Sequence, residues 1–415
     1  MSALTLRQAE RRFVLLTATR WLPAGLTFGM IVLLPLERGL SLAEIGVLMS
    51  LQGFVVLGLE LPTGGLADAI GRRPLLLAGA VIAVASTGVF LIAESFAVFA
   101  VALVLQGVFR ALDSGPLEAW FVDAALAVDP DAELDRPLGR AAAALGTTIA
   151  LGAAAGGALV AWHPIAGSSA LVLPYIVSAA VYALFGVLVA VLVREPHRER
   201  ASLAFAVRET PLAMRGGLRL LRGSPVLRGL VLVEVFWSIA MIAFESLAPV
   251  RLTEQFGSES AAAAVFGPAS AVAWGLFAVG SSSVVVVRRR LGPAGAAVLM
   301  RLLNGAVVVA MGIAAGPVGL LIGYGLAYLT HGAAGPLHNA LLHRQSGQET
   351  RAMVLSINSM IAGGAYSLGL LVLMPLAQST STITAIIAAG AFSMLGVVGY
   401  LPALRQQRAP DADRT

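Results

Sequence analysis

Long apolar runs separated by short polar segments dominate this 415-residue chain. A helix needs about 20 predominantly apolar residues to cross a bilayer, so each long run predicts a transmembrane helix. The pattern predicts an all-α membrane protein with twelve transmembrane helices. The runs cover 13–36, 43–63, 74–93, 97–125, 138–162, 169–193, 227–250, 261–287, 294–315, 317–342, 352–376 and 380–403.

The composition supports a membrane protein and argues against several other classes. Hydrophobic residues make up 58% of the chain and charged residues 12%, against about 25% charged in soluble domains. Cysteine is absent, so thiolate metal sites and disulfides are excluded; lysine is also absent, which excludes a phosphate-binding P-loop. The chain has no G-x-S-x-G motif and no basic patch with interleaved aromatic residues. We therefore expect no enzyme activity, cofactor, metal site or nucleic-acid partner.

The arginines predict the orientation in the membrane. An even number of runs places both termini on one side. Arginine clusters on that side, in the two termini, at 72–73, between 194 and 228 and at 288–290. Because cytoplasmic loops carry the excess of basic residues, both termini are predicted to be cytoplasmic in a protein of the plasma membrane.

A polar segment at mid-length divides the chain into two halves of six runs. Its bounds predict a six-helix bundle over 1–193, a cytoplasmic linker over 194–226, a second bundle over 227–404 and a tail over 405–415. Short repeats relate the halves: GPLEAW in the fourth run matches GPLHNA in the tenth, and GRAAAAL opens the fifth run as TRAMVL opens the eleventh. Part of the linker, 208–222, either lies along the inner membrane surface or is a solvated connector.

The segment ELPTGGLADAIGRRPLLL, 60–77, resembles the cytoplasmic signature of the major facilitator superfamily. Ala69 departs from that signature where a basic residue is usual. The resemblance implies two pseudo-symmetric six-helix bundles that transport by alternating access, with a gating contact on the cytoplasmic side. The alternative is that the motif only fixes topology. The residues that the resemblance assigns to gating are Gly64, Asp68, Gly71, Arg72, Arg73 and, as the acidic partner of Arg72, Asp123.

The fifth run contains a glycine pattern, GTTIALGAAAGGALVAW, that is similar to one found in drug/proton antiporters of this superfamily. Ala153 stands where the antiporter pattern has proline. Small residues at this spacing also allow helices to approach closely, so packing alone is an equal explanation.

The fourth run contains four charged residues, which is unusual for a transmembrane helix. Each ionisable residue within a bilayer costs about 2.5–3.5 kcal/mol on insertion scales, and such residues usually face partners or water. Arg110 and Asp113 fall near mid-bilayer, three residues apart, which predicts a local ion pair on one helix face. Glu118 lies deeper, at a depth that Arg20 of the first run shares, and a salt bridge between those two is expected. Asp123 reaches the inner interface.

Further ionisable residues lie in other runs. Glu234 and Glu245 are eleven residues apart, nearly on one face of the seventh run. His331 and His338 share a face of the tenth run and are expected to be hydrogen-bonded or cavity-lining rather than metal ligands. Each buried carboxyl is either a permanent ion-pair member or a proton-exchanging group, and Asp113 is the predicted coupling site.

These observations predict a monomeric secondary transporter whose partners are a small organic molecule, protons and the lipid bilayer. The leading function is proton-coupled efflux of apolar or drug-like compounds. Uptake or facilitated diffusion of a metabolite is the alternative, since Arg20 and Arg110 suit anionic groups. A transporter-like receptor without transport is the alternative of another class.

Overall fold

The computed structural model describes residues 4–195, 216, 219–346 and 350–408. Within those ranges, the side chains at 61, 62, 64, 65, 67, 68, 286 and 352 lie outside the description. The regular structure of the described residues is helical, without β-strands, which confirms the all-α prediction.

Twelve helical spans follow one another along the described chain, and each coincides with a predicted run. Eleven are long and apolar enough to cross a membrane. The tenth, Gly316–Arg344, has 29 residues, enough for about 43 Å of helix, but its glycines and three histidines make it less apolar than the others. We number the spans in chain order: Leu6–Glu37, Leu42–Glu60, Arg72–Ile92, Phe96–Leu126, Asp135–Trp162, Val172–Leu192, Pro225–Phe256, Glu259–Val285, Val287–Ile313, Gly316–Arg344, Met353–Ser379 and Thr382–Arg408.

The first and seventh spans depart from regular α-helix in ways that the apolar pattern does not show. The first consists of helices Leu6–Leu26 and Met30–Glu37, joined where Gly29 adopts a positive φ of 79°. The seventh begins as helix Pro225–Ile242, widens into a π-helical turn at Ala243–Leu247 and continues as helix Ala248–Phe256. Such π-turns are rare and often occur at functional sites.

The chain forms two compact units. The first unit contains Met1–Leu40, Leu51–Thr210 and Ala263–Ala271; the second contains Ser41–Ser50, Pro211–Ala262 and Val272–Thr415. The domain bounds predicted from the sequence stay a prediction, because residues 196–215, 217 and 218 of the linker lie outside the described residues.

Each unit has a hydrophobic core of its own. In the first unit, Phe13 stacks on Phe121 with ring centroids 4.6 Å apart, and Phe185 lies in the same buried cluster. In the second unit, Leu230 and Leu337 belong to a cluster of buried aliphatic side chains that also contains Tyr400 and small alanines of the ninth span. Close packing of this kind fixes the helices that present the polar residues described below.

The glycines of the fifth span have a packing role in the first unit. A Cβ at Gly152 would lie 2.9 Å from Cα of Gly25, and a Cβ at Gly156 would collide with the carbonyl oxygen of Leu26. The first and fifth spans therefore approach with backbone against backbone, as small-residue motifs allow. This contact explains the glycine pattern without reference to antiport.

We predict that Gly156→Ala lowers the stability of the purified protein by about 1–3 kcal/mol, the usual cost of overpacking. Gly146→Ala is the matched control, because nothing lies within 4 Å of a Cβ added at Gly146 in the same span. Thermal unfolding in detergent compares the two variants. Equal melting temperatures would contradict the proposed contact.

Candidate transport site

The fourth span is broken at the stretch that carries its charges. Helix Phe96–Leu112 ends, Gly115 adopts φ 97°, and helix Pro116–Leu126 begins with proline in its first turn. A proline lacks the N–H of a continuous helix, and glycine tolerates positive φ, so the Gly-Pro pair separates two helices. The prediction of one continuous helix over 97–125 was therefore wrong at this point. Asp113 lies at the C-cap of the first of the two helices.

A buried ion pair joins the first and fourth spans in the first unit. Arg20 Nε donates to Asp113 Oδ2, with the two side chains only 11% and 5% exposed. The Arg20 guanidinium also lies 3.8 Å from the ring centroid of Trp21 and 5.3 Å from that of Phe109. Aromatic faces and a carboxylate thus surround a cation that is largely removed from solvent.

This ion pair replaces two pairings expected from the sequence. Arg20 contacts Asp113 rather than Glu118, and Asp113 contacts Arg20 across helices rather than Arg110 on its own helix. Arg110 and Glu118 are both exposed. Arg110 interacts electrostatically with Glu60 at the end of the second span. Sequence spacing orders these residues along their helices but does not determine the helix rotation that decides which of them meet.

The signature segment forms a compact polar contact at the beginning of the third span. The turn lies at Gly71, whose φ is 96°. Arg72 donates through its guanidinium to the Asp123 carboxylate, and its backbone N–H donates to Glu195 at 2.7 Å. Arg73 donates to the carbonyl oxygen of Ala190 at 2.7 Å.

The structure therefore brings together four of the predicted gating residues: Gly71, Arg72, Arg73 and Asp123. Gly64 and Asp68 belong to helix Leu42–Ile70, but their side chains lie outside the described part of the chain. The expected position of Asp68 near the eleventh helix stays a prediction.

The second unit contains a buried polar network that connects five spans. His338 Nε2 lies 3.1 Å from Glu234 Oε1, and Arg301 Nη2 lies 3.8 Å from the same oxygen. The other ring nitrogen of His338 lies 3.0 Å from the Tyr400 hydroxyl, and Asn358 Oδ1 lies 3.4 Å from His338 Nε2. Glu234, Arg301 and His338 are 7%, 5% and 1% exposed. We call these five residues the Glu234 network.

Arg301 was not among the residues singled out in the sequence. It is a lone arginine in the apolar ninth run, AGAAVLMRLLNGAVVVA, and that isolation is itself the signal. Its guanidinium lies 4.1 Å from the ring centroid of Trp237. Among the described residues, its Nε and Nη1 have no hydrogen-bond partner.

Glu245 lies apart from this network, in the π-turn of the seventh span. It interacts electrostatically with Tyr328 of the tenth span. Its neighbour Ser246 exchanges a hydrogen bond of 3.1 Å with the Tyr366 hydroxyl. Glu234 and Glu245 thus have different surroundings although the spacing placed them on one face.

His331 lies in an aromatic cluster of the second unit rather than in the Glu234 network. Its ring stacks on Trp237 with centroids 4.2 Å apart and lies 5.2 Å from Phe277. Tyr328 extends the cluster by contacts with Phe244 and Trp274. Among the described residues no group of three or more His, Cys, Asp or Glu side chains is arranged to hold a metal ion.

Comparison with known proteins identifies the class to which this arrangement belongs. The family described as the Major Facilitator Superfamily matches residues 13–369. The chain belongs to this superfamily and is a multi-pass membrane transporter, not an enzyme. No curated protein matches the sequence closely enough to name a particular relative.

Solved structures of two transporters share the fold. The nucleoside transporter NupG aligns with a TM-score of 0.76 at 11% identity, over 97% of this chain and 100% of its own. A bacterial homologue of the human lysosomal transporter Spinster, in an inward-facing and unoccupied conformation, aligns with a TM-score of 0.75 at 15% identity, over 99% of this chain and all of its own. At these identities the likeness shows the fold alone.

Proposed function

We propose that this transporter is proton-coupled and that Asp113 is the coupling carboxyl, with Arg20 as its partner. The observation that carries the proposal is the buried Arg20–Asp113 ion pair at the break of the fourth span. Buried ion pairs seldom stabilise a protein better than apolar side chains would, so their presence within a membrane span favours a functional role.

Two opposing effects make this pair suitable for proton exchange. Removal from water disfavours the charged carboxylate, whereas the adjacent guanidinium favours it. Arg20 and Asp113 lie on different spans, and the Gly115–Pro116 break gives the fourth span a place to bend. A movement that separates the two side chains would favour protonation of Asp113, and their return would favour proton release.

Export of apolar or drug-like compounds is the direction and substrate class that we propose first. The aromatic cluster around Trp237, Phe277 and Tyr328 supports it, because planar apolar molecules pack well against such rings. Uptake of an anionic metabolite is the second candidate, favoured by the two Arg301 nitrogens that have no partner among the described residues. We also propose that the protein acts as a monomer in the plasma membrane with both termini in the cytoplasm.

The experiment that tests proton coupling uses purified protein in liposomes that contain a pH-sensitive dye. The transport probe is the compound, from a panel of apolar and anionic molecules, that most raises the Tm of the purified protein. A proton-coupled transporter moves protons when the compound is added, and a facilitator moves the compound without them. Compound movement without any proton movement would overturn the proposal.

We further propose that the Arg72–Asp123 contact is a gating latch in the cytoplasmic motif. Arg72→Ala and Asp123→Asn are expected to lower the initial rate of probe transport at least about tenfold, with monodisperse and folded protein, because each removes one partner of the same ion pair. The double variant is expected to be no slower than either single variant, since coupled residues act non-additively. Full activity of both single variants would contradict the latch.

A further inference from the structure

The Glu234 network contains two groups, a carboxylate and a neutral imidazole, that can each accept a proton. With Glu234 ionised, Arg301 cationic and His338 neutral, the cluster is neutral as it stands. Within the described part of the chain, the charged and titratable groups that face Glu234 from the neighbouring helices are Arg301, His338 and Tyr400. An added proton therefore has two places to reside, the Glu234 carboxylate or the His338 ring.

The distances in the unprotonated network fit one order of donors and acceptors. The Tyr400 hydroxyl lies 3.0 Å from His338 Nδ1, and in this order its O–H donates to that nitrogen. The neutral imidazole then carries its hydrogen on Nε2 and donates it to Glu234. Each group in this chain donates to the next, and the Glu234 carboxylate is the final acceptor.

Glu234 is held more closely by the imidazole than by the guanidinium. The distance from its Oε1 to His338 Nε2 is 3.1 Å, whereas the distance to Arg301 Nη2 is 3.8 Å. The Arg301 guanidinium lies instead over Trp237, with two nitrogens that have no partner in the described chain. The enclosed Glu234 carboxylate thus lies nearer to a group that can carry a proton than to its permanent counter-charge.

We infer that Glu234 and His338 together bind one exchangeable proton in the second unit, at a site separate from Asp113. The proton resides either on the Glu234 carboxyl, with His338 neutral, or on His338 as an imidazolium that faces the Glu234 carboxylate. The two forms titrate as one coupled group. The inference deepens the proposed function and rests on it for a role in transport, but proton binding itself is measurable without a substrate.

Infrared difference spectroscopy of the full-length protein in lipid nanodiscs tests the inference directly. Spectra are recorded while the pH changes between about 4 and 9, where perturbed carboxyl and imidazole groups titrate. The protonated carboxyl stretch of a buried acid appears as the pH falls. We expect a Glu234 component that is lost in Glu234→Gln and retained in Asp113→Asn. Glu94→Gln, which removes an exposed loop carboxylate, is the matched control.

Two variants test the partnership while leaving Glu234 in place. His338→Gln is expected to move the midpoint of the Glu234 component by about one pH unit or more, because a group that shares the proton is removed. Tyr400→Phe keeps the ring and removes only the hydroxyl that faces His338 Nδ1, so it is also expected to move this midpoint. It serves as the test variant if His338→Gln does not fold.

The outcomes separate this inference from the proposed function. Identical wild-type and Glu234→Gln spectra would show that Glu234 stays in one protonation state and would overturn the inference. A Glu234 component whose midpoint is unchanged in the foldable partner variants would overturn the shared site. A normal Glu234 component in a protein that moves its substrate without protons would support the second site and contradict only proton-coupled transport.

Discussion

Asp113→Asn is expected to abolish proton-driven accumulation of the transported compound while leaving binding and downhill exchange measurable. Asparagine resembles the protonated carboxyl in size and polarity but cannot release a proton, so the alternating steps continue without coupling. Vesicles with an imposed pH gradient measure accumulation, and the same vesicles loaded with unlabelled compound measure exchange. We expect accumulation to fall to the level of liposomes that lack protein.

Glu118→Gln provides the matched control for this result. Glu118 is an acid of the same span, five residues further along, but it is exposed and does not contact Arg20. Its substitution is expected to leave proton-driven accumulation within about twofold of wild type, since surface charges contribute little. If Asp113→Asn still drives uphill transport, Asp113 is only a structural partner of Arg20 and the coupling carboxyl is Glu234 or Glu245 of the seventh span.

Arg20→Gln is expected to be the most destabilising single substitution of the site. It leaves the Asp113 carboxyl, 5% exposed, without its counter-charge, and breaking a buried pair in this way costs about 3–5 kcal/mol. Heat- or denaturant-induced unfolding of the purified protein in detergent measures the loss of stability. The free energy of unfolding at neutral pH is the quantity to compare.

The double variant Arg20→Gln with Asp113→Asn is expected to regain most of that loss, because it removes the uncompensated charge together with its partner. Arg110→Gln serves as the control, since Arg110 is exposed and is not the ion-pair partner of Asp113. If Arg110→Gln were more destabilising than Arg20→Gln, the result would contradict the Arg20–Asp113 pair and support the Arg110–Asp113 pair that sequence spacing predicted.

The sequence was sufficient to predict where the helices lie. Membrane thickness requires long apolar runs, and this constraint holds independently of how the helices pack. Even the tenth span, whose glycines and histidines lower its hydropathy, was predicted as the run 317–342 and is observed as helix Gly316–Arg344. The break in the fourth span was missed although Ser114, Gly115 and Pro116 signal it, because the flanking apolar residues suggested a continuous helix.

The pairing of charged residues was less predictable than the positions of the helices. Spacing along a helix fixes how deep a side chain lies, but tertiary packing fixes the direction in which it points. Arg72 and Asp123 form the expected ion pair, which the resemblance to the superfamily signature had implied. Arg20 met Asp113 because Gly25 and Gly152 bring the first and fifth spans together and orient the first span in its unit. Nothing in a linear pattern records that rotation.

The dependence of steady-state accumulation on the pH gradient tests proton coupling through Asp113 most directly. Liposomes that contain wild-type protein or Asp113→Asn are compared at zero membrane potential over a series of imposed gradients. One coupled proton contributes about 1.4 kcal/mol per pH unit, so the accumulation ratio of an uncharged probe should change about tenfold or more per unit for the wild type. For Asp113→Asn the ratio should stay at one across the series. A wild-type ratio that is independent of the pH gradient, or an Asp113→Asn ratio that follows it as the wild type does, would contradict the account.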